Sequence, residues 1–460
     1  MPQNILELSV NELVDAYRQG TYTPLHAVEA CIAQIKEQNP SLNAFCFIED
    51  EDILRAQAHE SAKRWAENCP IGPYDGVPIS IKDGTDVQGR VTRDGSAATA
   101  DGPAESDSPA VANLRAAGCI FLGKTTLPEF GLKGVTHGPL YGVTRNPWNV
   151  EKTTGGSSGG AAAAAAAGMG YMHLGSDGGG SLRIPACFCG VTGYKPTQGL
   201  IKEKSISPFS PMATTGAIAR TVEDAEIMFN IMAPDAAEKT SALPNKALRI
   251  AYAPTLNDFA VDPEIAAQIE ICAQHMEALG TVEKIDLHIP DLIDTFTVHW
   301  AAIAAWIYDQ IPADRRTLMD PYVVEWAKQG EALSLYDYMN AQVIAAKIKK
   351  QIQEIFDSYD IILMPTMAMS PFAAERNEPE GLKGAEWTPF TFAANLAQLP
   401  AASIPCGVTA DKLPMGAQLI AYTNNDSYVL KAAKFLEQKI KFEDWLLKQN
   451  KDDMRASNAA

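Results

Sequence analysis

Short apolar runs alternate with amphipathic stretches over most of the chain. Periodic apolar positions predict helices over residues 108–118, 222–233 and 263–279. Between these stretches lie runs typical of buried strands, at residues 76–84, 119–126, 248–254, 361–366 and 401–407. Regular alternation of strands and helices, punctuated by glycine and proline turns, indicates an α/β layer fold.

The N-terminal segment, residues 1–60, is predicted to be helical. Ser9 and Glu12 fit a capping box at the start of a first helix. A second helix over residues 27–38 is expected to stop before Pro40, because proline lacks the backbone donor a helix needs. These helices are expected to pack on the main domain.

Three further segments differ from the α/β alternation. Residues 290–345 are predicted to be helical and are rich in tryptophan, tyrosine and alanine. The same residues could line a substrate pocket or only pack in the core. Residues 371–386 combine proline, glycine and charge, which is typical of a long mobile loop. Residues 448–460 form a polar tail that is expected to fray.

Composition and charge restrict the function classes. The 460 residues carry a formal net charge of -18, and a field of that sign repels nucleic acid and anionic membrane. The eight cysteines contain no CxxC pair, so neither a metal site nor a disulfide framework is expected. The N-terminus lacks a cationic signal region, and no uncharged apolar run reaches the ~20 residues of a membrane span. We therefore expect a cytoplasmic protein without cofactors.

A glycine-rich stretch at residues 153–190 carries the most specific chemistry. Glycines surround Ser157 and Ser158, and an alanine run after them predicts a helix that can pack close to a sheet. Farther on, three glycines at 178–180 precede Ser181. Consecutive glycines can present their backbone N–H groups to one point, which is how an oxyanion hole is built. Ser181 is therefore a candidate acyl-transfer nucleophile, with Ser157 as a rival.

The candidate base is Lys82, which ends the alternating apolar run 77–81. Burial disfavours a charged lysine and lowers its pKa, which would leave an amine able to accept a proton. On residue types alone, a structural lysine paired with Asp83 is the less favoured alternative for Lys82. None of the seven histidines has the setting of a catalytic base, and His173 lies in an apolar segment where a core histidine is expected.

At this point the chain resembles the amidase signature family. Matching segments, from about residue 60 to 440, include GVPISIKD, GKTTLPEFG, GGSSGG, LGSDGGGSLRIPACFCG, DIILMPT and LPMGAQLI. The resemblance implies a single large α/β/α layered domain over residues 61–447, with a mixed, twisted central sheet flanked by helices. It also places the variable pocket region of the family at about 290–345.

The resemblance further implies a Ser–Ser–Lys triad. In the family pattern Ser181 is the nucleophile, Ser157 is the proton relay after a cis peptide bond with Gly156, and Lys82 is the base. The amides that would hold the oxyanion belong to residues 178–181, namely Gly178, Gly179, Gly180 and Ser181. Ser158, Asp177 and Arg183 are expected to support the network through hydrogen bonds and a salt bridge.

Departures from the family pattern lie around the expected substrate pocket. Leu132 occupies a position that lines the acyl pocket in relatives, and Thr154 is a second candidate contact. Lys133 replaces a common glycine, and Thr136-His137-Gly138 replaces a threonine–acid–asparagine sequence. We expect a small-molecule amide, anilide, ester or carbamate (urethane) as substrate, and a monomer or homodimer without nucleic-acid or membrane partners.

Three alternatives stay open. The glutamine-hydrolysing component of a tRNA-dependent amidotransferase, its A subunit, would need an arginine motif, and Arg315 and Arg316 stand in a different setting. An α/β-hydrolase esterase would use the G-x-S-x-G match at 155–159, with Ser157 as nucleophile and a late histidine. A phosphate-binding module lacks the lysine of the GxxxxGK[ST] motif.

Overall fold

The computed structural model of the protein describes residues 4–237 and 246–442. The polar tail predicted at 448–460 lies outside the described residues. The strands of the described part are β1 Phe45–Ile48, β2 Pro78–Lys82, β3 Ile120–Thr125, β4 His137–Gly138, β5 Gly142–Val143, β6 Arg145–Asn146, β7 Asn149–Thr153, β8 Met172–Asp177, β9 Thr192–Lys195, β10 Thr214–Ala219, β11 Leu248–Tyr252, β12 Gly280–Lys284, β13 Ile361–Pro365, β14 Ala401–Val408 and β15 Pro414–Ala421.

Helices cover both ends of the described chain and most connections between strands. They are α1 Val10–Gln19, α2 Pro24–Leu42, α3 Glu51–Ala66, α4 Pro109–Ala116, α5 Gly159–Ala166, α6 Arg183–Cys189, α7 Val222–Met232, α8 Pro234–Ala237, α9 Pro263–Met276, α10 Leu292–Gln310, α11 Pro321–Glu331, α12 Leu335–Ile355, α13 Pro389–Leu396 and α14 Asp426–Ile440. Single 3-10 turns occur at Ile5–Glu7, Glu129–Gly131 and Arg316–Leu318.

One large sheet runs through the molecule. Within the described residues it has 11 strands in the order β1-β3-β2-β8-β10-β9-β14-β15-β13-β11-β12. Two parallel groups, β3-β2-β8 near one edge and β13-β11-β12 at the other, flank a run of antiparallel pairs. The sheet is therefore mixed and flanked by helices, which confirms the predicted α/β fold.

Two local expectations differ from the structure. Helix α2 continues through Pro40 to Leu42, because Pro40 lies in the last turn and the chain ends the helix at Asn43 in the left-handed conformation. Asn39 steadies this end, since its side-chain oxygen accepts from the amides of Ala44 and Phe45. The N-terminal segment also contributes the edge strand β1, which is too short to give a clear period-2 signal.

Helix α5 packs closely on the layers around it. A Cβ built on Gly159 would lie 2.3 Å from the hydroxyl oxygens of both Thr136 and Thr154, and one on Gly160 would lie 2.4 Å from Thr126 Oγ1. The alanines at 161–165 are buried, as expected for a helix that approaches a sheet closely. This packing fixes the serines that precede the helix.

Contacts across the molecule hold the N-terminal segment. The amide of Val10 donates to Asp224 Oδ1 on α7 at 2.8 Å. The guanidinium of Arg220 donates to the carbonyls of Leu6 and Leu8. None of the helices in the described ranges is long and apolar enough to cross a membrane.

The segment predicted to be a mobile loop, residues 371–386, contacts strand β7 and Arg145. Its backbone bonds to β7 through the amide of Thr153 and the carbonyl of Phe372, and through the amide of Ala374 and the carbonyl of Glu151. Glu375 pairs with Arg145 at 2.8 Å. These contacts bring the segment to the mouth of the cleft described below.

Candidate active site

The site begins where two parallel strands end. Strands β2 and β8 pair in parallel with Ile79 opposite Met172 and Ile81 opposite Leu174. Carboxyl ends of neighbouring parallel strands meet at one edge of a sheet, and here that edge carries Lys82 from β2 and Ser176 from β8. The ammonium nitrogen of Lys82 lies 3.0 Å from Ser176 Oγ.

Lys82 is surrounded by serine hydroxyls. Its Nζ lies 2.7 Å from Ser157 Oγ and 2.9 Å from Ser158 Oγ, in addition to Ser176. Among the described residues no carboxylate is in ion-pair contact with Lys82, and Asp83 pairs with Lys124 at 2.8 Å instead. Burial lowers the pKa of Lys82 to about 7, and the charges of Asp177 and Asp94 oppose this shift only in part.

The two adjacent serines lie in the turn that leads into α5. The peptide bond between Gly156 and Ser157 is cis, as the resemblance implies. Ser158 links three parts of the site: its hydroxyl donates to the carbonyl of Ser176 at 3.1 Å, and its amide donates to the carbonyl of Ser181 at 3.1 Å. The turn and the glycine loop after β8 are therefore joined directly.

A buried ion pair shapes the glycine loop. Asp177 and Arg183 contact each other through two hydrogen bonds of 3.0 and 2.9 Å, and both side chains are fully buried. Burial alone would raise the pKa of Asp177, but the charge and hydrogen bonds of Arg183 outweigh it and hold that pKa below its usual range. Arg183 also donates to the side chains of Gln418 and Asn395, which ties the loop to β15 and α13.

The amides of the glycine loop do not all face the same way. Gly180 N–H donates to Asp177 Oδ1 at 2.7 Å, so it is not available to an oxyanion in this arrangement, contrary to the expectation for Gly180. The reason is the carboxylate of Asp177, which closes a tight turn on that amide. Within the described chain, the amides of Gly178, Gly179 and Ser181 have no acceptor.

Ser181 opens onto a narrow cleft. Five aromatic side chains are among its lining residues, together with a polar group around Lys133. The lining residues are Leu132, Lys133, Gly134, Gly179, Ser181, Ile184, Phe296, Trp300, Tyr322, Trp326, Asn377, Gly384, Ala385, Trp387 and Thr388. Four of these lie in α10 and α11, in the region predicted to shape the pocket.

Comparison with known proteins places this arrangement in a family. The family model described as Amidase matches residues 26–430 of the chain. The chain belongs to the amidase signature family. It is therefore an enzyme that hydrolyses carbon–nitrogen bonds of amides.

Three relatives of this amidase illustrate the range of the family. The chain is 35% identical to an acylamidase of Rhodococcus erythropolis, over 95% of this chain and 96% of that one. It is 31% identical to the A subunit of the glutamyl-tRNA(Gln) amidotransferase from Alkaliphilus metalliredigens, over 95% and 97%. The crystal structure of a bacterial aryl acylamidase of the amidase signature enzymes superposes with a TM-score of 0.84 at 28% identity, over 94% and 96%.

The amidase brings most of the predicted residues together. Lys82 contacts Ser157 and Ser158, and the amide of Ser158 donates to the carbonyl of Ser181. Asp177 and Arg183 pair within the same loop as Ser181. Among the described residues no hydrogen bond joins the hydroxyls of Ser157 and Ser181. Leu132 lines the cleft, and its carbonyl accepts from Trp300 Nε1 at 3.0 Å. Thr154 does not reach the cleft. It is buried behind the serine turn, and its hydroxyl donates to the carbonyl of Gly155.

Sequence reasoning missed two parts of the amidase site. Ser176 contacts Lys82. It lies in the motif that contains Ser181, but only the register of β2 against β8 shows that it reaches Lys82. Asp320 and Asn377 meet Lys133 at the cleft from distant segments. His173 is a core residue bonded to Ser80 at 2.7 Å, and none of the histidines in the described residues contacts Ser157 or Ser181.

Proposed function

We propose that the amidase hydrolyses small amides with Ser181 as nucleophile, Ser157 as proton relay and Lys82 as base. The observation that carries this proposal is the environment of Lys82. Its amine is buried, its pKa is lowered to about 7, and it lies 2.7 Å from Ser157 Oγ. A lysine with these properties can be neutral at physiological pH and accept a proton.

The hydrogen bonds around Lys82 set the direction of proton movement. A neutral amine donates two hydrogen bonds and accepts one. The hydroxyl of Ser158 donates to the carbonyl of Ser176, so Ser158 must accept from Lys82. The proton that Lys82 accepts therefore comes from Ser157 or Ser176. Donation by Ser157 leaves its oxygen ready to accept a proton from Ser181.

The proposed reaction has two halves. Lys82 takes the proton of Ser157, Ser157 takes that of Ser181, and Ser181 Oγ bonds to the substrate carbonyl carbon. The free amides of Gly178, Gly179 and Ser181 are the candidate donors to the oxyanion. The carbon–nitrogen bond then breaks, Ser157 returns a proton to the leaving amine, and water cleaves the acyl-enzyme by the reverse relay.

The cleft favours substrates with a compact aromatic or apolar group. Phe296, Trp300, Trp326 and Trp387 line the cleft beside Ser181. Such walls bind flat apolar groups by burial and ring contacts. The similarity to an acylamidase and an aryl acylamidase supports amide and anilide substrates. Esters and carbamates present the same carbonyl carbon and belong in the same test.

Glutamine hydrolysis for a tRNA-dependent amidotransferase is less well supported by the cleft. No arginine is among the described residues that line it. Arg315 donates to the carbonyl of Ala97, and Arg316 to the carbonyl of Ile311. Free glutamine should therefore be a poor substrate beside benzamide when both are assayed by ammonia release.

The test combines active-site trapping with variants. A fluorophosphonate should attach to Ser181, as located by mass spectrometry, and Ser181→Ala should lose both the adduct and turnover. Ser157→Ala and Lys82→Ala should each slow turnover by about 10²–10⁴-fold, the contribution of general acid–base catalysis. Ser41→Ala, at an exposed serine of α2, is the matched control. An adduct on Ser157, or near-full activity of Lys82→Ala, would refute the triad.

A further inference from the structure

Lys133 stands out among the cleft residues because its charge is buried beside Ser181 without taking part in the triad. Its side chain is 1% exposed. Its Nζ lies 2.7 Å from Asp320 Oδ2, 3.2 Å from Asn377 Oδ1 and 3.2 Å from His137 Nδ1. Burial lowers the pKa of Lys133, and the adjacent carboxylate of Asp320 opposes that shift.

The three partners use the full donor capacity of the ammonium group. An ammonium has three protons and no acceptor. His137 can accept at Nδ1 because its Nε2 lies 3.3 Å from the carbonyl of Arg376 and can donate there. Burial and the charge of Lys133 also lower the pKa of His137, which keeps its ring neutral. Lys133 thus has no proton left with which to bind a substrate.

Each partner belongs to a different segment of the cleft wall. Asp320 caps α11, where its Oδ1 accepts from the amide of Tyr322 at 3.0 Å. Glu129, four residues before Lys133, accepts from the amide of Asp320 at 2.7 Å. The start of α11 is therefore bonded to this part of the core by both Lys133 and Glu129. Helix α11 then carries Tyr322 and Trp326 into the cleft.

Asn377 belongs to the segment 371–386 on the facing side of the cleft. The next residue, Glu378, accepts from the hydroxyl of Tyr322 at 2.6 Å and from the amide of Gly384 at 2.7 Å. Asn377 and Gly384 both line the cleft. Helix α11 and the segment 371–386 are the two outer walls of the cleft. They contact each other at Tyr322, and both are bonded to Lys133.

We propose that Lys133 is a positioning residue that sets the width of the cleft by bonding α11 and the segment 371–386 to the core beside Leu132. It thereby selects for flat aromatic substrates. This role rests on the proposed hydrolysis at Ser181, but it concerns which substrates bind and leaves the chemistry of the triad unchanged. Loss of the lysine removes its bonds to Asp320 and Asn377 and leaves the bond between Tyr322 and Glu378 as the direct contact between the two walls. The walls are then held less firmly, so a group that depends on ring contacts binds more weakly.

The test compares an amide that fills the cleft with one that does not. Benzamide and acetamide are hydrolysed by wild type and Lys133→Met, and the ammonia released gives kcat and KM for each. Lys133→Met should raise KM for benzamide about tenfold. The kcat for benzamide, both constants for acetamide and the rate of fluorophosphonate labelling at Ser181 should stay close to wild type, because loss of binding contacts alone raises KM without lowering kcat.

A matched control separates cleft geometry from general instability. Arg64→Met also leaves a buried carboxylate, Asp75, without its cation, at a site outside the cleft. It should lower the melting temperature and leave the benzamide-to-acetamide ratio of kcat/KM unchanged. Asn377→Ala removes the bond between Lys133 and the segment 371–386. It provides a second test of the positioning role if Lys133→Met does not fold. It should raise KM for benzamide and speed hydrogen exchange in residues 376–384.

The outcomes separate the two proposals. An unchanged benzamide-to-acetamide ratio in both Lys133→Met and Asn377→Ala overturns the positioning role. Loss of labelling at Ser181 in a folded Lys133→Met also overturns it, because the lysine would then act on the chemistry. If wild type itself neither labels at Ser181 nor hydrolyses either amide, the proposed function has failed.

Discussion

Single residues decide the chemistry of the site, and their environments differ even between neighbours. Lys82 lies among hydroxyls, whereas the next residue, Asp83, pairs with Lys124. The motifs of the family indicated Lys82, Ser157 and Ser181 from the sequence, because each has a fixed place in a short glycine-rich pattern. They could not indicate that Gly180 bonds to Asp177, since this depends on the path of one turn.

The pH dependence of activity should follow Lys82. Its pKa is lowered to about 7, so the neutral amine is lost as pH falls through that value. We expect kcat/KM for benzamide to decline from pH 8 to pH 5 in proportion to the neutral fraction. Asp177 stays ionised throughout because its pKa is held below the usual range.

Asp94 is the alternative source of such a decline, since burial raises its pKa to about 6. Asp94→Asn is the control. Its kcat/KM for benzamide should still decline as pH falls through about 7, because Lys82 is still present. If kcat/KM of wild type stays constant down to pH 5, Lys82 does not act as a neutral base. If the decline disappears in Asp94→Asn, it is due to Asp94 and not to Lys82.

Arg183 should matter far more to stability than a surface arginine. Arg183→Met leaves the Asp177 carboxylate buried without its cation, a change that costs about 3–5 kcal/mol. Arg18→Met breaks an exposed pair with Asp15, and such pairs contribute about 0–1 kcal/mol. Urea unfolding of the two variants measures the difference. Equal losses of unfolding free energy would show that the buried pair contributes no more to stability than the exposed pair of Arg18 and Asp15.

At the scale of elements, the apolar pattern predicted several helices and mostly buried strands in the right places, but it missed other strands that are fully buried. The structure has helices at α4, α7 and α9 and strands at β2, β3, β11, β13 and β14 where the pattern placed them. Strands β8, β9 and β10 were not predicted as strands, because each contains glycine and none shows regular alternation of apolar and polar residues. Their strand character comes from pairing with other segments of the sheet.

Close packing of α5 makes Gly159 sensitive to any side chain. Gly159→Ala places a methyl group 2.3 Å from two threonine hydroxyl oxygens, and overpacking of this kind costs about 1–3 kcal/mol. The helix must shift, and Ser157 and Ser158 shift with it, so both melting temperature and kcat should fall. Gly102→Ala, where a Cβ meets nothing within 4 Å, should change neither. Wild-type kcat in Gly159→Ala would mean that the serine turn does not depend on this packing.

At the scale of the whole molecule, alternation of strands and helices predicted the layered fold but not the order of strands. That order depends on pairs such as β9 with β14, which join residues some two hundred positions apart. The cleft wall depends on distant residues in the same way, because Lys133 bonds to Asp320 and Asn377, which lie 187 and 244 positions away in the sequence. Sequence periodicity describes neighbours along the chain, and these contacts are not neighbours.

The end of strand β10 that lies away from the active site, next to Arg220, should affect stability without affecting activity. Ala219, just before Arg220, pairs with Met172, whereas Thr214 at the other end of β10 pairs with Asp177. Five residues of strand span about 17 Å. Arg220→Met should therefore speed hydrogen exchange in residues 5–8 and lower the melting temperature, with kcat/KM unchanged.

Arg249→Met, which alters β11 elsewhere in the sheet, is the control for Arg220 and should leave exchange in residues 5–8 as it is. Unaltered exchange there in Arg220→Met would show that the arginine does not hold the N-terminal segment.

The bond between Val10 and Asp224 also constrains how the protein is made. The two residues are 214 positions apart, and at about 5–20 residues per second a ribosome needs roughly 10–40 s to add that length. During this interval α1 exists without α7, although its Ser9–Glu12 capping box can already form. Isolated helices shorter than about 12–15 residues are marginal in water, and α1 has 10 residues. The apolar side chains of the α1 segment therefore lack this docking surface until α7 has been synthesised, and chaperones near the ribosome can reach them first.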